Sequence, residues 1–406
     1  MKQVDWKSLI CRPSVVIASL SIIAILAFLF VNRLVHRFSE QQKALARRMF
    51  AQGQLEQRSG RPDQAIEDFR VALSYDRGNF PYQLNLARAL RDNNQPEEAK
   101  SYLLNLWNRT PDDGAVNLAL ARLAARQGQI EDAIHYYHNA AYGRWDSDAD
   151  AKRRNAQFEL VDFLLSRNAL PQAQAELLNL STTLPAASED LRLRLAQLFA
   201  RAQDYEHALA EYQRVLAHHR EDGSALAGAG ESAFRLGRYR TAEDYLSSAL
   251  RINPKENPED EQVRQLHETS NMVLQSDPYE RKLPASERKA RIRDAFNAAG
   301  ERLEQCAVSQ GVNANAMPPE SSSPTASVAS TPPANSGPDL ASLKKQWVEM
   351  KPKLTRSRAS DDSDLLDSTM NIVFEIEQAT QKQCGPGSHI DQALLLLAQT
   401  RSGVDR

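Results

Sequence analysis

Two histidines in the segment HYYH have the clearest capacity for metal chemistry. His135 and His138 stand three positions apart, so a helix would place both side chains on one face. A zinc site takes three or four ligands, and no Cys or carboxylate cluster can be assigned beside this pair as the rest of the set. His218 and His219 are adjacent and would point apart on a helix. We predict packed or surface histidines and no metal site.

The sequence carries no motif of an enzyme site. It contains no HExxH, no GxxxxGK[ST] and no GxSxG, and no nucleophile can be paired with a base. The charge is nearly balanced, with 50 basic and 52 acidic residues, which gives no support to bulk binding of nucleic acid. We therefore predict no enzyme activity, no cofactor and no nucleic-acid partner.

An alanine recurs at nearly regular intervals and marks the repeated helices on which the other candidate residues lie. The spacings between successive copies are 34, 34, 40, 35 and 34 residues. The copies are Ala65, Ala99, Ala133, Ala173, Ala208 and Ala242. A period of this size predicts a repeat architecture.

Fixed offsets from this alanine describe one structural unit. A large residue (Phe, Tyr or Leu) follows the alanine by 4 positions, and an aliphatic residue (Ala, Leu or Val) follows it by 7. These offsets place all three side chains on one stripe of a helix. A small residue precedes the alanine by 12 positions in most copies, which allows a second helix to pack closely. The position five residues before the alanine is Gly or Asn in five of the six repeats. Both residue types tolerate the left-handed conformation that ends a helix. The six residues at this position are Gly60, Asn94, Gly128, Asn168, Gln203 and Gly237. The unit is helix, tight turn, helix.

This signature resembles the tetratricopeptide repeat (TPR), a helical hairpin of about 34 residues. The family's closing proline is present as Pro111, Pro185 and Pro254, while positions 77, 145 and 220 hold Arg, Trp and Arg. The resemblance covers residues 46–256 as six repeats. It implies a TPR superhelical array. With the segments before and after the array, described below, we predict an all-α fold that adds an N-terminal transmembrane helix and a small C-terminal helical module.

The repeat register also accounts for a glycine-rich stretch. The residues GAGESA at 228–233 fit the pattern of a dinucleotide-binding loop. That loop needs a strand before it and a helix after it, whereas the register places these residues inside the first helix of repeat 6. We predict that Gly230 fills the small packing position.

The resemblance implies a concave face built from the first helix of each repeat. On this face it places seven arginines: Arg58, Arg88, Arg91, Arg122, Arg126, Arg201 and Arg235. It places apolar residues between them: Phe50, Leu84, Leu118 and Phe158. Guanidinium groups bind carboxylates by paired hydrogen bonds, which predicts a groove for an acidic peptide or a C-terminal carboxylate. Alternatively, the arginines pair with neighbouring acids such as Asp92 and Asp162 and keep the array soluble.

The N-terminal segment SVVIASLSIIAILAFLFV (14–31) has eighteen residues and no charge. As a helix it is about 27 Å long, enough to cross the hydrocarbon core of a bilayer. It is longer than the apolar region of a signal peptide and has no small-residue cleavage site after it. We predict a single-pass anchor at 14–33, the alternatives being a cleaved signal or a soluble helix.

Two sets of observations favour opposite orientations of this anchor in the membrane. Basic residues flank the span: Lys2, Lys7 and Arg12 before it, and Arg33, Arg37, Lys43, Arg47 and Arg48 after it. Their excess after the span favours a cytoplasmic array, although a short tail before a first span commonly stays inside. The resemblance to bacterial TPR proteins with one N-terminal span implies the inner (cytoplasmic) membrane and a periplasmic array.

The cysteines bear on the same question. Cys11 adjoins the span, while Cys306 and Cys384 stand in the distal part of the chain without a CxxC motif. They form either a disulfide, as in an oxidising compartment, or two unrelated thiols. In the chain-entropy description a bond closing a loop of this size contributes about 4 kcal/mol.

Composition divides the rest of the chain. A short tail (1–13) precedes the anchor, and capping helices (257–308) follow the array, with apolar residues of 285–306 spaced by 4 and 3. The segment 309–338 is rich in Pro, Ser and Ala and predicts a disordered linker. Residues 339–402 predict a helical module whose small core must dock on another surface.

These features favour a membrane-tethered scaffold or co-chaperone that binds protein or peptide partners in the concave groove. One alternative is an enzyme or enzyme subunit with its site in the C-terminal module. Another is an assembly factor facing the cytoplasm.

Overall fold

A computed structural model describes residues 13–185, 188–252, 258–280, 283–310, 339–355 and 363–402. Within these ranges the chain forms seventeen helices and no strand, with one isolated bridge between Asp113 and Arg144. The all-α prediction is confirmed. The predicted tail, up to residue 12, and the predicted linker, from residue 311, lie outside the described residues.

The chain divides into two compact units, Met1–Glu176 (unit 1) and Leu177–Arg406 (unit 2). Helices α1 to α7 belong to unit 1: Pro13–Arg58, Pro62–Tyr75, Phe80–Asp92, Pro96–Arg109, Gly114–Arg126, Ile130–Tyr142 and Ala149–Ser166. The boundary falls inside α8, Leu170–Thr183. Helices α9 to α17 belong to unit 2: Glu189–Arg201, Tyr205–His218, Gly223–Arg235, Tyr239–Ile252, Pro258–Ser276, Ala285–Ser309, Leu340–Thr355, Ser363–Cys384 and His389–Ser402.

Each repeat reverses direction at one residue with left-handed backbone. All six positions five residues before the repeated alanine have positive φ, between 57° and 73°. The prediction for Gly and Asn is therefore confirmed, and Gln203 adopts the same conformation with φ of 61°. The next residue closes the turn, as where the Asp204 N–H donates to the Phe199 carbonyl at 2.9 Å. This six-residue bond is that of the Schellman motif, which ends a helix and satisfies its last carbonyls.

The two helices of a repeat meet through the small positions. The six repeated alanines are fully buried. A Cβ added to Gly53 would lie 2.7 Å from the Phe69 ring, and one added to Gly230 would lie 2.6 Å from Leu246. The stretch GAGESA lies within α11, Gly223–Arg235, so Gly230 is a packing residue as predicted.

Helix α1 contains both the apolar segment and the first helix of repeat 1. It runs without interruption from Pro13 to Arg58. An 18-residue window has a mean hydropathy of 2.2 and is not buried by any described part of the chain, so its length and composition would allow it to cross a membrane. Every residue from 17 to 38 is exposed.

The helices after the array share one core in unit 2. Ile292, Phe296 and Leu303 of α14 pack in the same cluster as Leu343 of α15 and Met370 of α16. Trp347 stacks on Phe296 with ring centroids 5.3 Å apart, and its indole N–H donates to the Phe296 carbonyl. Helices α15 and α16 therefore dock on α14.

A disulfide joins α14 to the end of α16. The Sγ atoms of Cys306 and Cys384 lie 2.00 Å apart and their Cα atoms 5.8 Å apart. Between these two residues the chain passes through the predicted linker, so the bond links α14 directly to the helices that follow it.

Helix α16 also carries a buried carboxyl group. Glu377 is almost fully buried, and its Oε1 has no hydrogen-bond partner among the residues that the structure describes. Burial, together with the nearby Asp391 carboxylate, raises the pKa of Glu377 to about 8, while Arg302 opposes the shift. Asp391 accepts hydrogen bonds from the Ser388 N–H and hydroxyl at 2.7 and 2.8 Å. At neutral pH, Glu377 is therefore mostly protonated.

Replacing a repeated alanine tests the packing of the hairpins. We expect Ala208→Trp to overpack the buried contact of α10 and to cost about 1–3 kcal/mol. The melting temperature followed by circular dichroism should fall by several degrees. Ala210→Trp, on the exposed face of the same helix, is the matched control and should leave it nearly unchanged. Equal effects of the two substitutions would contradict the assigned register.

Thiol counting tests the disulfide. Protein isolated without reducing agent and denatured in the presence of a thiol reagent should show one reactive thiol, that of Cys11, out of three cysteines. Reduction should then lower the melting temperature of unit 2, because the unfolded chain regains the freedom that the cross-link removes. Three reactive thiols before reduction would show that Cys306 and Cys384 are not bonded in the cell.

The raised pKa of Glu377 predicts a pH dependence of stability. The unfolded chain releases this proton near the ordinary value of 4.5, whereas the folded chain keeps it up to about 8. Stability should therefore fall as the pH rises from about 4.5 to 8. We expect Glu377→Gln to reduce this fall in melting temperature. Glu375→Gln, an exposed neighbour, should behave as the wild type; identical slopes in all three proteins would contradict a buried, protonated Glu377.

Candidate functional site

Four arginines lie together in unit 1 on the first helices of repeats 2 and 3. Arg88 and Arg91 stand three residues apart on α3, and Arg122 and Arg126 four apart on α5, so each pair shares a face of its helix. We call these four residues the arginine cluster. One turn before Arg88 and Arg122, the buried Leu84 and Leu118 fix the two helices in the core.

Arg122 is fully engaged by an acid from the next repeat. Its Nε and Nη2 donate to the two carboxylate oxygens of Glu159 at 2.8 and 2.5 Å. These hydrogen bonds raise the pKa of Arg122, while partial burial opposes the shift. Such a paired geometry is the strongest arrangement between a guanidinium and a carboxylate, so Arg122 is held in place.

Arg91 and Arg126 are partly engaged. Arg91 donates through Nε and Nη2 to Asp92 Oδ1 at 2.9 and 2.8 Å. Arg126 Nη1 donates to the Arg91 carbonyl at 2.8 Å and lies 3.8 Å from the same Asp92 oxygen. Asp92 thus serves two arginines, as the alternative from the sequence anticipated. The Nη1 of Arg91 is buried and has no partner among the described residues.

Arg88 is different, because no described residue accepts a hydrogen bond from its guanidinium. Burial, together with the positive charges of Arg122 and Arg91, lowers the pKa of Arg88 to about 10. Asp113 and Asp92 oppose this shift without contacting the side chain. Arg88 stays charged at neutral pH, so the cluster holds a partly desolvated cation without a counter-ion.

A tyrosine from the second helix of repeat 3 completes the surroundings. Tyr137 of α6 is buried, which raises its pKa to about 12. The Glu159 carboxylate acts in the same direction, while Arg122 and Arg91 oppose it. Neither Tyr137 nor Glu159 was singled out from the sequence as part of a site. Glu159 stands 37 residues after Arg122, one turn before Asp162, and no motif marks it.

The other three predicted arginines lie on α1, α9 and α11. Arg58 is exposed near the end of α1, and no described residue pairs with it. Arg201 and Arg235 belong to unit 2, and Arg235 lies 3.5 Å from Glu231 one turn earlier on α11. The assignment of all seven arginines to one binding face remains a prediction.

The apolar residues expected between the arginines are largely covered. Leu84, Leu118 and Phe158 are buried. Phe50 packs on the rings of Phe69 and Tyr82, with centroids 5.6 and 4.6 Å away. These side chains form core rather than an open groove floor, because each repeat buries its apolar stripe against the next helix.

The histidines of HYYH take part in ordinary surface contacts. His135 Nε2 lies 3.1 Å from the Asn139 side chain, and His138 Nε2 lies 3.2 Å from a Glu176 oxygen. Among the residues that the structure describes, no three His, Cys, Asp or Glu side chains are placed to hold a metal ion.

Comparison with known proteins identifies the repeats. Residues 56–123 and 193–257 each match a family model described as tetratricopeptide repeat. The comparison with curated proteins finds no match.

Solved structures show similarity at low sequence identity. PilF of Pseudomonas aeruginosa is 16% identical over 55% of this chain and 99% of its own, with a TM-score of 0.40. PilW, described as a type IV pilus biogenesis factor, is 17% identical over 54% of this chain and 98% of its own, with a TM-score of 0.39. A TPR protein from Parabacteroides merdae is 12% identical over 62% and 92%, with a TM-score of 0.37.

The matched repeats, the period of the alanine and the six left-handed turns agree with one another. This chain is therefore a tetratricopeptide repeat protein.

Proposed function

We propose that this protein is a membrane-tethered scaffold in which the arginine cluster of unit 1 binds a carboxylate of a protein or peptide partner. Tetratricopeptide repeats are modules of protein–protein interaction, which supports the general role. The observation that carries the proposal is that the Arg88 guanidinium has no hydrogen-bond partner among the described residues and is repelled by Arg122 and Arg91.

A carboxylate would complete this arrangement. A half-buried guanidinium that has lost part of its hydration and faces two like charges costs stability. An incoming carboxylate accepts hydrogen bonds from Arg88 and offsets the repulsion between Arg88 and its neighbouring arginines. Arg122 is already occupied by Glu159, so it shapes the site without being needed as a donor.

Helix α1 supplies the tether in this proposal. Its apolar segment is exposed along its whole described length and is long enough to span a bilayer. The disulfide between Cys306 and Cys384 supports an oxidising compartment. We therefore place the protein in the inner membrane, with the repeats in the periplasm.

The first test is the binding of defined peptides. A pool of random eight-residue peptides with free C-termini should bind the detergent-solubilised protein. A control pool that contains no carboxylate, because it lacks Asp and Glu and has amidated C-termini, should not bind. Arg88→Met removes the charge and keeps an unbranched apolar stem. We expect it to weaken peptide binding about tenfold or more, from the loss of about 1.5–3 kcal/mol of charged hydrogen bonding.

The same variant separates binding from folding. Because Arg88 has no partner to lose, Arg88→Met should keep or raise the melting temperature. Arg109→Met, on the exposed face of α4, is the matched control for removal of one positive charge and should bind as the wild type. Unchanged peptide binding by Arg88→Met would overturn the proposed site, and a large drop in melting temperature would show that Arg88 serves the fold.

A further inference from the structure

Helix α1 carries an apolar seam that none of the described residues of the chain covers. From Ile17, positions at alternating steps of three and four reach Leu45, and all but one of these nine residues are apolar. The last five are Val31, Leu34, Phe38, Gln41 and Leu45. A step averaging 3.5 residues is the period of a coiled-coil seam.

Lipid does not account for the outer half of this seam. Leu34, Phe38 and Leu45 follow the predicted span of 14–33, and 58, 61 and 46% of their surfaces are exposed. The opposite side of the helix carries Arg33, Glu40, Lys43 and Arg47, as expected for a solvated face. An apolar stripe backed by a charged face requires a cover in water.

Unit 1 leaves the seam free because it uses another stripe of the same helix. Helix α1 packs on α2 through Ala46 and Gly53, which approach Phe69 and its neighbours. Leu45 lies beside this contact and is still about half exposed. The seam therefore remains open from residue 17 to residue 45.

We propose that the seam is covered by α1 of a second copy of this chain, in a parallel two-helix coiled coil. Two copies anchored in one membrane with the same topology present their helices in parallel and at the same depth, which brings Phe38 opposite Phe38. This orientation rests on the proposed anchoring. Gln41, the polar seam position, then meets its own copy, and a single polar seam residue fixes register.

The charges beside the seam allow this pairing. The positions that flank it between residues 31 and 45 are Val35, Arg37, Gln42 and Ala44. In a parallel pair, Arg37 lies across from Gln42 of the other copy, which can accept its hydrogen bond. No like charges are brought together along the seam.

Cysteine cross-linking in native membranes tests this pairing. Three variants are made in a Cys11→Ser background: Leu34→Cys and Phe38→Cys on the seam, and His36→Cys, at nearly the same depth but about half a turn away. On mild oxidation we expect a disulfide-linked dimer for Leu34→Cys and Phe38→Cys, at least about tenfold more than for His36→Cys.

Every other pattern overturns the proposal. Equal cross-linking of all three variants indicates random collision, no cross-linking indicates that lipid or nothing covers the seam, and a product of another mass indicates a different partner. Alkaline extraction of the same membranes reports separately whether the chain is anchored. Phe38→Glu, measured by light scattering of the detergent-solubilised protein, should shift the dimer to monomer.

Discussion

The fold depends on how closely two helices approach within each repeat. At Gly53 and Gly230 the first helix has no side chain where the second helix presents a large one, and even a methyl group there would collide with Phe69 or Leu246. Close contact brings the larger residues four positions after the repeated alanine into the core. Because a single hairpin cannot bury both of its faces, the same contact obliges each repeat to stack on its neighbours.

Regular stacking has an electrostatic consequence. It places equivalent positions of successive first helices side by side. A charged residue that recurs with the period therefore lies next to a residue of the same charge. Arg88 and Arg122 are 34 residues apart and illustrate this, since each occupies the same position of its repeat. Glu159 neutralises Arg122 and Asp92 neutralises Arg91, while Arg88 keeps its charge without a partner.

Local features of this fold were predictable from the sequence. The period, the buried alanines and the packing role of Gly230 follow from side-chain size and spacing, and the left-handed turns follow from Gly and Asn. Gln203 shows that the bond from Asp204 to the Phe199 carbonyl can hold a less suitable residue in the same conformation. Long-range pairings were beyond reach, because nothing in the spacing links Arg122 to Glu159 or marks Glu377 as buried. The sequence also left open whether Cys306 and Cys384 pair, and only the packing of α14 against α16 brings them together.

Under the proposed anchoring, the continuity of α1 has a mechanical consequence for the repeats. A helix advances about 1.5 Å and turns about 100° with each residue. For an anchored chain, the number of residues between the lipid and Ala46 therefore determines both the height of the first hairpin above the bilayer and the direction in which it faces. A flexible tether would leave the height and the direction undetermined, whereas an uninterrupted helix fixes both. Rotation of the anchor would therefore rotate the hairpins of unit 1 by the same angle.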